Sequence, residues 1–257
     1  MVSKGDIYTF IQEGHKFFIP QLSIDCVILG YHENQLRVLL TRWKGVEGWC
    51  LPGGYILRNE SINSAASRIL KERTGLDDVF LKQYHTFGDL ERNLTFDSPL
   101  LKSYKFYNDI LGTWLDNRTV SIGYYALVDF TRTIPVADEF SEECCWWNFE
   151  QLPLMLFDHE HMIGLAMETL RHQIKYEPLG MNLLPEQFTL PELQKLYETI
   201  LGRSLDRRNF QKKIIGIGIL KHLNVQRKIG PHRSPNLYSF DRENYNKALT
   251  EGKGFSL

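Results

Sequence analysis

The chain of 257 residues is 43% hydrophobic and 24% charged, the balance of a soluble globular protein, long enough for two domains and for a core in at least one of them. No apolar run approaches the roughly 18 residues that span a bilayer, and the opening MVSKGDIYTF lacks a signal-peptide layout, so membrane roles are excluded and a cytoplasmic location is expected. The 30 Lys and Arg against 31 Asp and Glu hide an asymmetry: residues 178–257 hold 13 basic and 7 acidic groups, leaving 17 and 24 in residues 1–177, which points to an anionic partner for the C-terminal block alone.

Residues 1–20 read as an irregular or short helical lead-in. Leu22–Tyr31 and Leu36–Trp43 are β-branched and apolar runs about the polar turn 32–35, a hairpin pattern. Asp25 interrupts the first run, either as a hydrogen-bonded structural carboxylate or as a ligand contact, since a buried polar group needs a partner in both cases. Cys26, Cys50, Cys144 and Cys145 include no C-x-x-C pair and read as reduced core cysteines rather than a zinc site or a disulfide framework.

In Gly54–Leu76, GYILRNESINSAASRILKERTGL, the residues Ile62, Ala65, Ala66, Ile69 and Leu70 recur at the spacing of one apolar helix face. Asn59 or Ser61 can cap its start, and Gly75 suits the left-handed residue past its end. With Gly48-Trp49-Cys50-Leu51-Pro52-Gly53 before it, this stretch resembles a Nudix box, since Gly54, Glu60, Arg68, Leu70, Glu72, Gly75 and Leu76 fall on that family's frame. The resemblance implies carboxylates at positions 69, 72 and 73, on one helix face, that bind Mg²⁺ for pyrophosphate chemistry. Here two of those positions are Ile69 and Arg73, and a cation in the ligand cluster opposes Mg²⁺. The expectation is a Nudix scaffold with no metal site, no catalytic residues and no cofactor.

Val79–Phe87 reads as the next strand, followed by an aromatic-rich stretch over Asn93–Asn117, a central strand over Thr119–Phe130 and a further strand over Cys144–Phe149. His159–Lys175 fits a closing helix. Asp158-His159-Glu160-His161 is read as its start, with Asp158 capping and Glu160 at the positive end of the dipole, in preference to a metal-ligand cluster. Glu177-Pro178-Leu179-Gly180 breaks both periodicities where the charge balance changes sign, giving domains 1–177 and 178–257.

In the basic block, Thr189 and Glu192 have the spacing of a capping box ahead of the stripe Leu190, Leu193, Leu196, Tyr197, Ile200 and Leu201, with Gly202 as the stop. A second helix follows, on which Phe210, Ile214 and Ile217 face inward. It carries Arg207, Arg208, Asn209, Gln211, Lys212 and Lys213, side chains that pair with base edges and phosphates, as a helix-turn-helix requires. Leu220–Ile229 and Asn236–Phe240 describe a wing bearing Arg227, Lys228, His232 and Arg233 near its tip. The competing reading is a solvated charged face.

A Nudix domain with a decayed box followed by a basic winged helix resembles the bacterial Nudix-related transcription factors across nearly the whole chain. The resemblance implies an α/β fold, a Nudix-type mixed sheet flanked by helices and then a winged helix-turn-helix domain. It also implies an effector sensor coupled to binding of double-stranded operator DNA by a homodimer. One branch of that family senses ADP-ribose or related NAD metabolites; another controls sugar catabolism. The stretches 118–127, Leu152-Pro153 with Phe157-Asp158-His159, and 188–210 are most similar to the sugar branch, whose arabinose-responsive repressors imply a pentose such as L-arabinose as effector. The 93–117 stretch departs from that branch, where the connection is shorter. A sugar needs carboxylates or amides beside aromatic rings, so the effector residues are expected to be Asp25, Gly53, Gly54, Phe87, Asp89, Tyr124 and Trp146, with Trp147 as an alternative wall. The alternatives are an ADP-ribose-sensing regulator of NAD metabolism, in which Arg73 meets the diphosphate, and a working hydrolase of ADP-ribose or nucleoside diphosphate compounds.

Overall fold

The two apolar runs about a polar turn form a hairpin in the computed structural model. Strand β1 (Phe18–His32) neighbours β2 (Gln35–Trp43), and the turn residues Glu33 and Asn34 both have positive φ, 49° and 61°. That geometry matches the twist of the flanking strands. The structure describes residues 7–77, 79–90, 92, 99–227 and 234–251. They belong to two units: residues 1–30 with 37–166, and residues 31–36 with 167–257.

The first unit is built on a seven-stranded mixed sheet. Its order is β3 (Trp49–Cys50), β2, β1, β6 (Val120–Val128), β5 (Phe80–Phe87), with β4 (Gly53–Leu57) paired to β1 and β7 (Ser141–Asn148) paired to β2. Strands β1 and β6 run parallel, Leu22 opposite Val120 through Gly30 opposite Val128. Alternation along β1 sends Ile24, Cys26 and Ile28 to one face and Asp25 to the other. The first face packs against α2 (Ile62–Thr74), where Ala65, Ala66, Ile69 and Leu70 complete the core with Ile122, Tyr124 and Ala126. Helix α2 starts at Ser61, whose Oγ accepts the Ser64 N–H at 3.1 Å, and ends at Gly75 with φ 72°. Of the two expected caps, Ser61 is used.

The stretch expected to be an insertion contributes α3 (Pro99–Lys102), α4 (Tyr107–Ile110) and a 3₁₀ turn at Trp114–Asp116; residues 93–98 lie outside those described. With α1 (Ile7–Glu13) it forms a second core, in which Ile11, Leu101, Tyr104, Phe106 and Ile110 are buried. Helix α5 (His159–Gln173) follows β7, and the division between units falls inside it, after Ala166. The linker read at Glu177-Pro178-Leu179-Gly180 lies in the loop beyond this helix.

The second unit contains β8 (Phe188–Thr189), α6 (Leu190–Leu201), α7 (Arg207–Gly216), β9 (Leu220–Gln226), β10 (Asn236–Phe240) and α8 (Arg242–Thr250), with the strands in the order β8-β10-β9. The capping box is formed. Thr189 N–H donates to Glu192 Oε2 at 2.7 Å, and Glu192 N–H donates to Thr189 Oγ1 at 3.4 Å, an arrangement that stabilises a helix by roughly 1 kcal/mol. Helix α8 was not anticipated, although Asp241, which accepts the Asn244 N–H at 3.2 Å, is an ordinary start signal. Among the described residues no helix is long and apolar enough to cross a membrane.

Candidate functional site

A cavity of about 550 Å³ opens in the first unit beside the N-terminal end of β4 and the C-terminal half of α2. Its floor includes Ser23 and Asp25 of β1 and Gly53 and Gly54 of β4. The register sets Asp25 opposite Gly53. The absent side chain matters there, because a Cβ on Gly53 would lie 2.3 Å from Asp25 Oδ1. Phe10 of α1, Phe18 of β1, Tyr55 of β4 and Phe140 form an aromatic wall, with Phe10 5.4 Å from Phe18 and 5.0 Å from Phe140 between ring centres. Behind it, Trp114 stacks parallel to Phe18 and donates its indole N–H to Phe10 O at 3.2 Å.

Charge is concentrated at the opposite side. Asp25 Oδ2 accepts from Arg92 Nη2 at 3.1 Å and from the Ser121 hydroxyl, while Arg92 Nε donates to Asp158 at 2.8 Å. Burial works against the Arg92 charge, but Asp25 and Asp158 outweigh it and raise the pKa. His159 accepts the Leu51 N–H at Nδ1, 2.9 Å, which leaves its proton on Nε2, 3.8 Å from Asp25. Burial above all holds its pKa below the ordinary value, keeping the imidazole neutral. The 158–161 stretch begins a helix, as expected, but the carboxylate of Asp158 accepts from Arg92 Nε with both oxygens and is not seen capping the helix; Asp158 and His159 both serve this cluster.

The box residues divide into scaffold and lining. Arg68 Nη2 bonds Glu60 Oε1 at 2.7 Å and Tyr55 O at 2.9 Å, and Glu60 Oε1 accepts the Leu57 N–H at 2.8 Å, which fixes the turn between β4 and α2. Ile69 is 1% exposed, and its side chain packs on Gly54. Arg73 reaches the cavity, where Nη2 bonds Asp138 Oδ2 at 2.6 Å and Gly53 O at 3.4 Å. Of the three positions that would hold a metal in a Nudix box, one is a buried alkyl group, one a guanidinium and only Glu72 a carboxylate. These residues do not fit Mg²⁺.

Asp25, Gly53 and Gly54 thus line the cavity as expected, whereas Phe87, Asp89, Tyr124 and Trp146 lie off it. Tyr124 is on the α2 face of the sheet, its hydroxyl bonded to Asn63 Oδ1 at 2.5 Å. Trp146 packs on that same core and on Phe130, 5.2 Å away, over the bare backbone of Gly30. Phe87 covers Gly123 beside Tyr84, Asp89 is exposed beyond the end of β5, and Trp147 packs on Trp49. The residues that sequence reasoning missed, Phe10, Phe18, Tyr104, Asp138 and Arg92, come from five separate segments, and only the fold brings them together.

In the second unit, α7 buries Phe210 and Ile214, with Ile217 just past its end half-buried. Arg207, Arg208, Asn209 and Lys212 are exposed, and Gln211 and Lys213 are half-buried. The Arg227 guanidinium pairs with Glu192 and donates to Gln187 O at 3.0 Å, which braces the start of α6. Lys228, His232 and Arg233 lie outside the described residues.

A mixed sheet with its cavity beside a box helix, and a separate winged helix, define a two-domain Nudix protein. The NUDIX domain family matches residues 20–164, and the NrtR DNA-binding winged helix domain matches residues 180–240. The ADPR-responsive transcriptional repressor NtrR of Acinetobacter baylyi is 30% identical over 88% of this chain and 84% of its own length. NrtR of Shewanella oneidensis, solved alone and with a 27mer DNA, superposes with TM-scores of 0.68 and 0.67 at 27% identity, over 88% of this chain and 96% of its own. The chain belongs to this family: it is an NrtR-like transcriptional repressor built of a Nudix domain and a winged helix. None of these matches supports the sugar-catabolism branch.

Proposed function

We propose that the Nudix unit senses ADP-ribose without hydrolysing it, and that the bound effector weakens the hold of the winged helix on operator DNA. The observation that carries this reading is Arg73, which stands at a box carboxylate position and faces the cavity beside Asp138. A guanidinium there suits a diphosphate and repels a metal ion. The aromatic wall of Phe10, Phe18 and Tyr55 suits a planar base. The relative's response to ADPR supports the same ligand. A pentose has less support, since four of the seven residues expected to bind it lie off the cavity.

On the DNA side, Arg207, Arg208, Asn209 and Lys212 read base edges and phosphates, with Gln211 and Lys213 on the flanks. A symmetric homodimer presents two such helices and therefore recognises a near-palindromic site. Calorimetry in the presence of a chelator, with ADP-ribose and L-arabinose compared, tests the effector, and a gel shift with each ligand tests its consequence. ADP-ribose should bind without metal, survive prolonged incubation with Mg²⁺ and release DNA. Rapid Mg²⁺-dependent turnover that Glu72→Gln abolishes would overturn the sensor reading.

A further inference from the structure

Helix α7 carries two residues that its own packing does not explain. Its inward face is formed by Phe210 and Ile214, both buried. Helical periodicity sets Arg208, Lys212 and Ile215, at i, i+4 and i+7, on the opposite face, with Gly216 one turn beyond Lys212. All four are exposed, Ile215 by 51%. A β-branched side chain left half in water is a poorer helix former than alanine or leucine, so Ile215 adds little to the fold.

Gly216 is the second such residue. A glycine in a helix is usually kept for a positive φ, for close approach within the chain, or as the stop signal. Gly216 is helical and has no positive φ. No described atom lies within 4 Å of where its Cβ would stand. The stop is supplied two residues later by Gly218, φ 79°, whose N–H donates to Ile215 O at 3.0 Å. The remaining reason is close approach by a molecule outside the chain, on the face that carries Arg208 and Lys212.

The charge of that face suits double-stranded DNA, and the apolar group that a base edge presents in the major groove is the thymine C5 methyl. Along the face the side chains shorten, from Arg208 and Lys212 to Ile215 and then Gly216. The C-terminal end of α7 can therefore come nearer to the bases than the N-terminal end, where long cations span a wider gap. We infer that Ile215 reads a thymine methyl in each half-site, and that the bare backbone of Gly216 admits the approach this contact needs. The inference rests on α7 being the DNA-contacting helix and adds to it a specificity residue that makes no hydrogen bond.

The test is fluorescence anisotropy on a duplex selected from a random pool by the full wild-type chain, with each thymine in turn replaced by deoxyuridine. That replacement keeps every hydrogen-bonding group and removes only the methyl. At one position wild type should lose about fourfold in affinity per half-site, the worth of one buried methyl, and Ile215→Ala should show no loss there. Gly216→Ala should melt at or above the wild-type temperature, since alanine favours the helix, yet bind the duplex roughly tenfold more weakly because the added methyl crowds the DNA. Arg208→Ala and Lys212→Ala in the same assay report on α7 itself. Suppose either of these loses affinity. Then a wild type without any deoxyuridine penalty, an Ile215→Ala protein that keeps the penalty, or a Gly216→Ala protein that binds as tightly as wild type would overturn the inference and leave α7 as the DNA-contacting helix. If neither loses affinity, both readings fall.

Discussion

The Asp25 carboxylate occupies the space over Gly53, where a Cβ would lie 2.3 Å from Asp25 Oδ1 and 2.7 Å from Ile24 O. One contact is a side chain and the other is backbone, so the strand cannot relieve both by rotating a single group. Gly53→Ala is therefore expected to push Asp25 off Arg92 and to destabilise the first unit by about 1–3 kcal/mol, the usual cost of overpacking. Urea unfolding measures the first effect. Calorimetry with ADP-ribose measures the second, and affinity should fall even where the variant is fully folded. A variant with wild-type stability and affinity would show that the Asp25–Arg92 geometry does not depend on this close approach.

His159 makes the protein acid-sensitive. In the folded chain, burial holds its pKa below the ordinary 6.5, and the Leu51 N–H needs the lone pair on Nδ1. The unfolded chain takes up a proton near 6.5, so this contribution is intact above that pH and is lost as pH falls from there towards the depressed folded value. The urea midpoint of wild type should drop below about pH 6.5 more steeply than that of His159→Asn, whose Oδ1 accepts from Leu51 without titrating. Parallel pH profiles for the two proteins would remove His159 as the source.

Arg227 and the α7 cations should separate cleanly in a gel shift. Arg208→Ala or Lys212→Ala is expected to weaken operator binding by about 1–3 kcal/mol where it reads a base, or to lower the salt dependence where it meets a phosphate. Arg227→Ala, which releases Glu192 and Gln187 O, should affect the melting of the second unit more than its DNA affinity. Equal affinity losses for Arg208→Ala and Arg227→Ala would return Arg227 to the DNA surface.

The elements were legible wherever a local rule decides them. Apolar spacing and caps gave α2 and α6, and β-branched runs gave the β1–β2 hairpin and β6. The box substitutions Ile69 and Arg73 stood in plain view. The cavity was less legible because strand alternation has to be anchored by a known partner. Ser121 bonds Asp25, and Tyr124, three residues on, must then point to the other face, but only the parallel pairing of β1 with β6 reveals which face Asp25 occupies. Tyr104, Phe10 and Arg92 lie in segments without periodicity, and nothing local ties them to a site. His159 looked like a helix start because it is one; its second role needs Leu51 as a neighbour.

The connection from β5 to β6 carries α3, α4 and Tyr104 between two strands that are antiparallel partners, Phe87 opposite Ser121. The ends of such a loop are held by the sheet whatever its length. Closing a flexible loop costs entropy that grows only logarithmically, about 0.6 kcal/mol for each doubling. An insertion here can therefore lengthen, shorten or change sequence in the course of evolution with little effect on the sheet, while changes at Tyr104, Ile110 or Leu115 alter the lining of the cavity. A family that keeps one scaffold and diverges in what it senses would change first at this connection.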